Sequence, residues 1–290
     1  MKSDLLINFC PSGMVPVSED TQNVPLSTAR VIEEVHAVNE LGITIAHLHA
    51  RDEALQPSHK LEHFAEIFEG VRRHCPDLII SASLSGRYVS DWSLRSEVLA
   101  LKPDMGSLTL SSLNFARNAS VNAPDTIVKL VAEMDRFGVN PELECFDLGM
   151  IQYGKYLQQK GIIPRRAYWN LLFGNLAGAQ ADLCSMAAMV QSLPEHSHVA
   201  FAGLGRAQLK ATSIAIALGY GVRVGLEDNL WWDDERTQLA TNISLVQRVH
   251  RIASEHERTH IPADVFGEAG FYNRSKLAEA LTTVNDEMLV

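Results

Sequence analysis

The chain has 290 residues, of which 46% are hydrophobic and 21% charged, enough apolar content for a sizeable core and too much for a disordered segment. A formal net charge of -10 argues against a general nucleic-acid binder, which needs a basic patch to neutralise phosphates. An anionic small ligand stays open, because a few arginines in a cleft outweigh the global sign locally.

Short β-rich runs alternate with longer amphipathic segments along the whole chain. The first predicted strand, LLINF (5 to 9), leads to a helix opened by Ser27 and Thr28 and stopped at Gly42. Strands at 43 to 50 and 78 to 84 follow, each with a helix behind it at 60 to 74 and 92 to 101. The strand at 105 to 110 precedes a helix with Pro124 at its start and Gly138 at its end. Strands at 142 to 147, 168 to 173, 198 to 203 and 222 to 227 alternate with helices at 150 to 160, 178 to 192, 205 to 218 and 236 to 256. Eight such pairs without a composition break predict a closed parallel (β/α)8 TIM barrel, one domain over 1 to 290. Residues 260 to 290 are expected to form a C-terminal helical extension, helical near SKLAEAL, packed under the barrel or against another subunit. No GxGxxG opens the first helix, which disfavours a dinucleotide site.

Neither a membrane span of ~20 apolar residues nor a signal-peptide core is present, so the expected address is the cytoplasm. Cys10, Cys75, Cys145 and Cys184 lie far apart without a CxxC pair and read as reduced, mostly buried thiols.

In such a barrel the chemistry belongs to strand C-terminal ends and the loops after them. There the chain reads Pro11 and Ser12, His47 and His49, Ser83 and Ser85, Thr109 with Ser111 and Asn114, Glu144 and Asp147, Asn175, Gly203, then Glu227 and Asp228. His47 and His49 share a strand face about 6.5 to 7 Å apart, so both imidazoles can converge on one cation. The pair alone fits metal binding and core packing equally. The chain also holds controls for it. His196 and His198 have the same spacing at the start of a strand, the stability end. His59 with His63, and His256 with His260, lack the Glu of HExxH and read as solvated surface histidines. VRVGLEDN tips the balance: strand alternation puts Glu227 on the face of Arg223 and Gly225, one strand removed from the histidine pair. Two histidines and a carboxylate leave coordination positions open, as catalytic metal sites do, and Zn2+ is the first choice.

Gly225 either clears a path to the metal or is a packing glycine. Asp228, from spacing alone, is better explained as a cap on the turn with Asn229. Glu142 and Glu144 share a strand face and need partners, with Arg223 the candidate. Serine-rich strand ends suit a substrate carboxylate but are also ordinary turn chemistry. Arg87 offers an anion contact, although a lone arginine there is more often a solvated charge.

HLHARD, SGR after the third strand, KPDMGSLTLSSLNF, PELECFDLGM, LLFGN and GVRVGLEDN together resemble the β-keto acid cleavage enzymes over nearly the whole chain. The resemblance implies a zinc-dependent barrel that takes a β-keto acid and acetyl-CoA and releases acetoacetate and a new acyl-CoA. It implies His47, His49 and Glu227 as zinc ligands, and Asp228 as general base held by Arg223 and Glu144, in place of a cap. Glu142 stays the alternative to Glu144. It matches Ser83 to a substrate-carboxylate contact and suggests a homotetramer; Ser85, Gly86, Thr109 and Ser111, after the third and fourth strands, are the further substrate candidates. One departure bears on the substrate: PSGMVP (11 to 16) has no acid for the amino group of an aminated keto acid, which favours an uncharged or differently charged one.

Two rivals remain at this stage. An amidohydrolase-type hydrolase also uses HxH on a barrel strand, but wants further histidines where this chain reads ECFD and LLFGN. A non-catalytic small-molecule or metal-binding barrel would not require the base and arginine.

Overall fold

A computed structural model describes residues 4 to 275. Eight parallel strands close into a barrel: β1 (Ile7–Phe9), β2 (Ile45–Leu48), β3 (Ile79–Ala82), β4 (Met105–Thr109), β5 (Asn140–Cys145), β6 (Tyr168–Phe173), β7 (His198–Gly203) and β8 (Gly221–Val224). Each strand pairs with its neighbour in sequence, and β8 pairs with β1 through Arg223 and Asn8. The predicted (β/α)8 barrel is therefore the observed one.

The helices cover this sheet through apolar stripes at helical spacing. α1 (Thr28–Asn39) buries Val31, Val35 and Val38, and Ser27 caps it by accepting from the Arg30 N–H. α2 (Leu61–His74) buries Phe64, Ile67, Phe68 and Val71. α3 (Trp92–Ser96) runs into a 3-10 turn (Glu97–Leu101), and α4 (Pro124–Arg136) starts on its proline. α5 (Leu148–Gln159), α6 (Leu183–Ser192), α7 (Ala207–Leu218) and α8 (Asn242–Glu255) complete the ring. Two helices begin later than predicted because a polar cap intervenes. Asp182 accepts from Ser185 N–H at the start of α6, and Thr241 with Ser244 forms a capping box at α8.

Strand β8 is shorter than the predicted 222 to 227. It stops at Val224 because Gly225 lies against the end of β1, where a Cβ would stand 1.9 Å from the Cys10 carbonyl oxygen. Gly225 is thus a packing glycine, and Glu227 and Asp228 sit in the turn beyond the strand.

The barrel interior is layered. Leu6, Ile45, Ile79, Met105, Tyr168 and Ala200 fill the N-terminal end. Chain after α8 closes it: Thr259–His260 pairs with Asp4–Leu5, α9 (Ala263–Phe266) follows, and the Phe266 and Phe271 rings stack 4.1 Å apart beneath Tyr168 and His198. His198 is therefore a structural histidine, as its strand position suggested. The described part of the extension, residues 260 to 275, packs under the barrel; the predicted helix near SKLAEAL lies almost wholly outside the described residues. Cys10, Cys75 and Cys145 are buried free thiols, and Cys184 is exposed. Among the described residues no helix is long and apolar enough to cross a membrane.

Candidate active site

At the C-terminal end the layers turn polar. His47 is the third residue of β2, and His49 stands just past its end; their Nε2 atoms face each other at 3.2 Å. Glu227 Oε1 lies 3.1 Å from His49 Nε2 and 4.0 Å from His47 Nε2. Gly13 brings the loop after β1 against Glu227: its φ is +65°, and a Cβ there would meet Glu227 Cγ at 2.5 Å. Alternation along β8 pointed to Glu227, but it is a turn residue that reaches the histidines.

These three side chains fit a divalent ion. Ligand atoms around a tetrahedral zinc stand about 3.3 Å apart, and the three separations bracket that value. Glu227 Oε2 is buried without a hydrogen-bond partner. The His47 Nδ1–H donates to Glu142 Oε2 at 2.8 Å, which leaves Nε2 with its lone pair toward the cluster. Burial pushes the Glu227 carboxyl up, but Arg223 and the two histidines outweigh it and hold it well below the usual range.

Arg223 joins the cluster to a second carboxylate group. Its Nε and Nη2 donate to Asp228 Oδ2 and Oδ1 at 3.0 and 3.3 Å, Nη1 to Glu144 Oε1 at 3.2 Å, and Nη2 to Glu227 Oε1 at 2.7 Å. Asp228 also accepts from the Cys10 thiol at 3.3 Å. Its side chain caps nothing; Asn229 takes that part, accepting from Trp231 N–H.

The two glutamates of β5 differ in their surroundings. Glu142 is fully buried and accepts from Asn8, Ser81, Asn170 and His47, so every lone-pair direction has a donor. Burial alone would raise its carboxyl, yet His47, Arg223 and Ser81 hold it at about 2. Glu144 reaches the cavity, accepts from Thr109 Oγ1 at 2.7 Å and touches Arg223, while burial pushes its carboxyl up. Both glutamates stand near Arg223 Nη1, Glu144 at 3.2 Å and Glu142 at 3.8 Å; Glu144 is the nearer and faces the cavity, and Glu142 is the hydrogen-bond partner of His47.

A cavity of about 210 Å3 opens over these groups and is lined by His47, His49, Glu144, Arg223, Glu227 and Asp228. Ser83, Ser85 and Thr109 line it too. Gly86 instead packs under Val121 and Arg95, where a Cβ would meet the Val121 carbonyl at 2.5 Å. Ser111 is exposed, with its hydroxyl donating to the Ser112 carbonyl at 3.2 Å. A larger open groove of about 850 Å3 lies elsewhere, between α5 and the start of β7, beside His196 and His198. Among the described residues the convergent histidine and carboxylate clusters involve only His47, His49, Glu142, Glu144 and Glu227, so the smaller cavity is the chemical one.

Besides Gly86 and Ser111, which do not line the cavity, two further sequence readings need correction. His59 is not a solvated surface histidine: it precedes α2, is buried, and neither ring nitrogen has a partner. Burial, with help from His49 and Arg95, lowers its imidazole to about 4. Arg87 is not a solvated charge: it lines the cavity, its guanidinium carbon 3.6 Å from the centroid of Phe115. Asn8, Ser81 and Asn170 were missed, although inward-facing polar residues inside strands were the available sign.

The description of the beta-keto acid cleavage enzymes matches residues 4–265. The chain belongs to the beta-keto acid cleavage enzyme family. Within reach of this family, the chain is 33% identical over 262 residues to 3-oxoadipate:acetyl-CoA acetyltransferase of Cupriavidus necator, covering 89% of this chain and 91% of the relative. It is 32% identical over 256 residues to 3-keto-5-aminohexanoate cleavage enzyme of Fusobacterium nucleatum, with 88% and 93% covered. A solved ObcA, in ternary complex with a C4-CoA adduct and oxalate, has a TM-score of 0.72 at 19% identity, a likeness of fold. The match covers 84% of this chain and 66% of that one.

Proposed function

We propose that the protein is a zinc-dependent acyltransferase that takes a β-keto acid and acetyl-CoA and releases acetoacetate and a new acyl-CoA. At the level its relatives share, it is an acyltransferase of β-keto acid cleavage. The observation that carries the zinc site and the residue roles is one arrangement: a His47, His49 and Glu227 cluster joined through Arg223 to Asp228 on a single cavity wall. The three ligands would hold Zn2+, which would polarise a β-carbonyl and so acidify the carbon between keto and carboxyl groups.

Asp228 takes the proton from that carbon. Arg223 fixes both Asp228 oxygens, and is itself held by Glu144 and Glu227, so the base is aimed before substrate arrives. Glu144 is anchored by Thr109, and Ser83 and Ser85 are placed to donate to the substrate carboxylate. The enolate carbon then forms a bond to the acetyl carbonyl, and the CoA thiolate leaves. The thiolate adds to the original keto carbon, the bond between that carbon and the enolate carbon breaks, the released acetoacetate enolate takes the proton back from Asp228, and the acyl group stays on CoA. The family resemblance also supports a cytoplasmic homotetramer as the working form.

The test is to incubate the zinc-loaded protein with acetyl-CoA and a panel of β-keto acids, with mass spectrometry for acetoacetate and a new acyl-CoA. Both products, dependent on acetyl-CoA, are expected from at least one acid, and Asp228→Asn should lower turnover about 1,000-fold while zinc stays bound. Hydrolysis without CoA, or ligand binding with no turnover, would overturn the assignment.

A further inference from the structure

Two arginines line the same cavity, and they differ in one respect. Arg223 spends its donors on Asp228, Glu144 and Glu227. Among the described residues the Arg87 guanidinium makes no hydrogen bond and no ion pair, and its Nε is buried without a partner. Glu227, Glu144 and Asp228 act on it only through space, so its buried Nε–H stays unsatisfied, a cost that a ligand acceptor would remove.

The mounting of Arg87 is also specific. Its plane rests on Phe115 at 3.6 Å, and Phe115 is braced edge-on by Phe146 at 5.6 Å. Stacking fixes the guanidinium plane and leaves its N–H edge free for a planar, bidentate acceptor, which a carboxylate is. The backbone N–H of Arg87 donates to Ser85 Oγ at 3.3 Å, which ties down the loop after β3. Arg87, Phe115 and Phe146 come from the loops after β3, β4 and β5, whereas Glu227 and Asp228 come from the turn after β8. His47 stands on β2 and His49 just past its end, next to β3, and Glu227, Glu144 and Asp228 all act on Arg87 through space, so a ligand of only a few carbons bound at His47, His49 and Asp228 reaches this platform with its other end. The loop after β1 contributes only Met14 and Val15 to the cavity, so nothing there suits an ammonium group.

Building on the β-keto acid reading, we infer that Arg87 receives a second carboxylate at the far end of the substrate, so that the preferred substrate is a β-keto diacid. The apolar faces of Phe115 and Phe146 suit the methylene chain between the two ends.

The test compares a six-carbon β-keto diacid with the monoacid of equal chain length, in the wild type and in Arg87→Gln and Arg87→Lys. Wild type should prefer the diacid, and the diacid-to-monoacid ratio of kcat/KM should fall about 10- to 100-fold in Arg87→Gln, the worth of a charge-assisted pair. Arg87→Lys, which keeps the charge and loses the fork, should fall between. An unchanged ratio, equal losses on both acids, or a rise confined to the KM of acetyl-CoA would overturn the inference by assigning Arg87 to the shared carboxylate or to CoA. A second readout does not depend on turnover: adipate should raise the Tm of the zinc-loaded wild type more than hexanoate does, and Arg87→Gln should erase that difference. If no β-keto acid turns over, the enzyme assignment fails by itself, and the adipate comparison still decides whether Arg87 holds a second carboxylate.

Discussion

The same eight strands build two unlike interiors. At the N-terminal end they contribute Leu6, Ile45, Ile79, Met105, Tyr168 and Ala200, sealed by Phe266 and Phe271. At the C-terminal end they and their loops contribute Glu142, Glu144, Arg223, Glu227, Asp228 and two histidines. Taking so many charges out of water costs several kcal/mol per ion unless each is paired and hydrogen-bonded, so the upper layer is held by its ion-pair network, which leaves Glu227 Oε2 and His49 Nδ1 without a hydrogen-bond partner. The lower layer is held by apolar area. Tyr168 joins them: its ring packs on Phe266 below, and its hydroxyl accepts from Asn8, which also donates to Glu142 above.

If that division is right, substitutions in the two layers have separable consequences. Glu142→Gln has the largest expected effect, because the amide presents a donor where His47, Ser81, Asn8 and Asn170 all need an acceptor. Stability should fall by about 4 kcal/mol in urea unfolding, and zinc affinity by about 10- to 100-fold, through loss of the group that orients His47. Phe266→Ala should cost about 3 kcal/mol by cavity formation, with zinc affinity unchanged in a competition titration. A loss of zinc in that variant would show that the lower layer helps to aim the ligands, and the division would fail.

An effect of the same size as that of Phe266→Ala appears only at low pH. His59 is neutral in the folded protein down to about 4, whereas an unfolded histidine takes its proton near 6.5. As pH falls through that window the unfolded chain binds the proton first, so His59 contributes a stability loss that grows below 6.5 and is complete near 4. The difference in unfolding free energy between His59→Gln and wild type should shift toward the variant by about 3 kcal/mol between pH 8 and pH 4. A constant difference would mean that His59 is protonated in the fold or solvated.

The barrel was legible because buried parallel strands read as apolar runs, and the helices between them carry their stripes at 3.6-residue spacing. Its errors came from contacts distant in sequence: Gly225 against Cys10 ends β8, and Asp182 and Thr241 delay α6 and α8. In the site, His47, His49 and Glu227 were visible as a pattern, and the structure brings them together although Glu227 lies beyond the strand. Alternation places Glu142 and Glu144 on one face and goes no further, because only their neighbours on other strands tell them apart. Arg87 looked like a surface charge since its stacking partner lies on a different loop, and His59 was misread as a helix-surface residue when it sits before the helix.

The proposed route is a carbon–carbon one, in which Asp228 would generate the nucleophile and Arg223 would hold that base in aim. Turnover of unlabelled β-keto acid with acetyl-CoA carrying carbon-13 at both acetyl positions tests that route most directly. The account predicts acetoacetate with both labels in its methyl ketone end, and a new acyl-CoA with none. Label appearing as free acetate, with CoA attached to the intact β-keto acid, would contradict it.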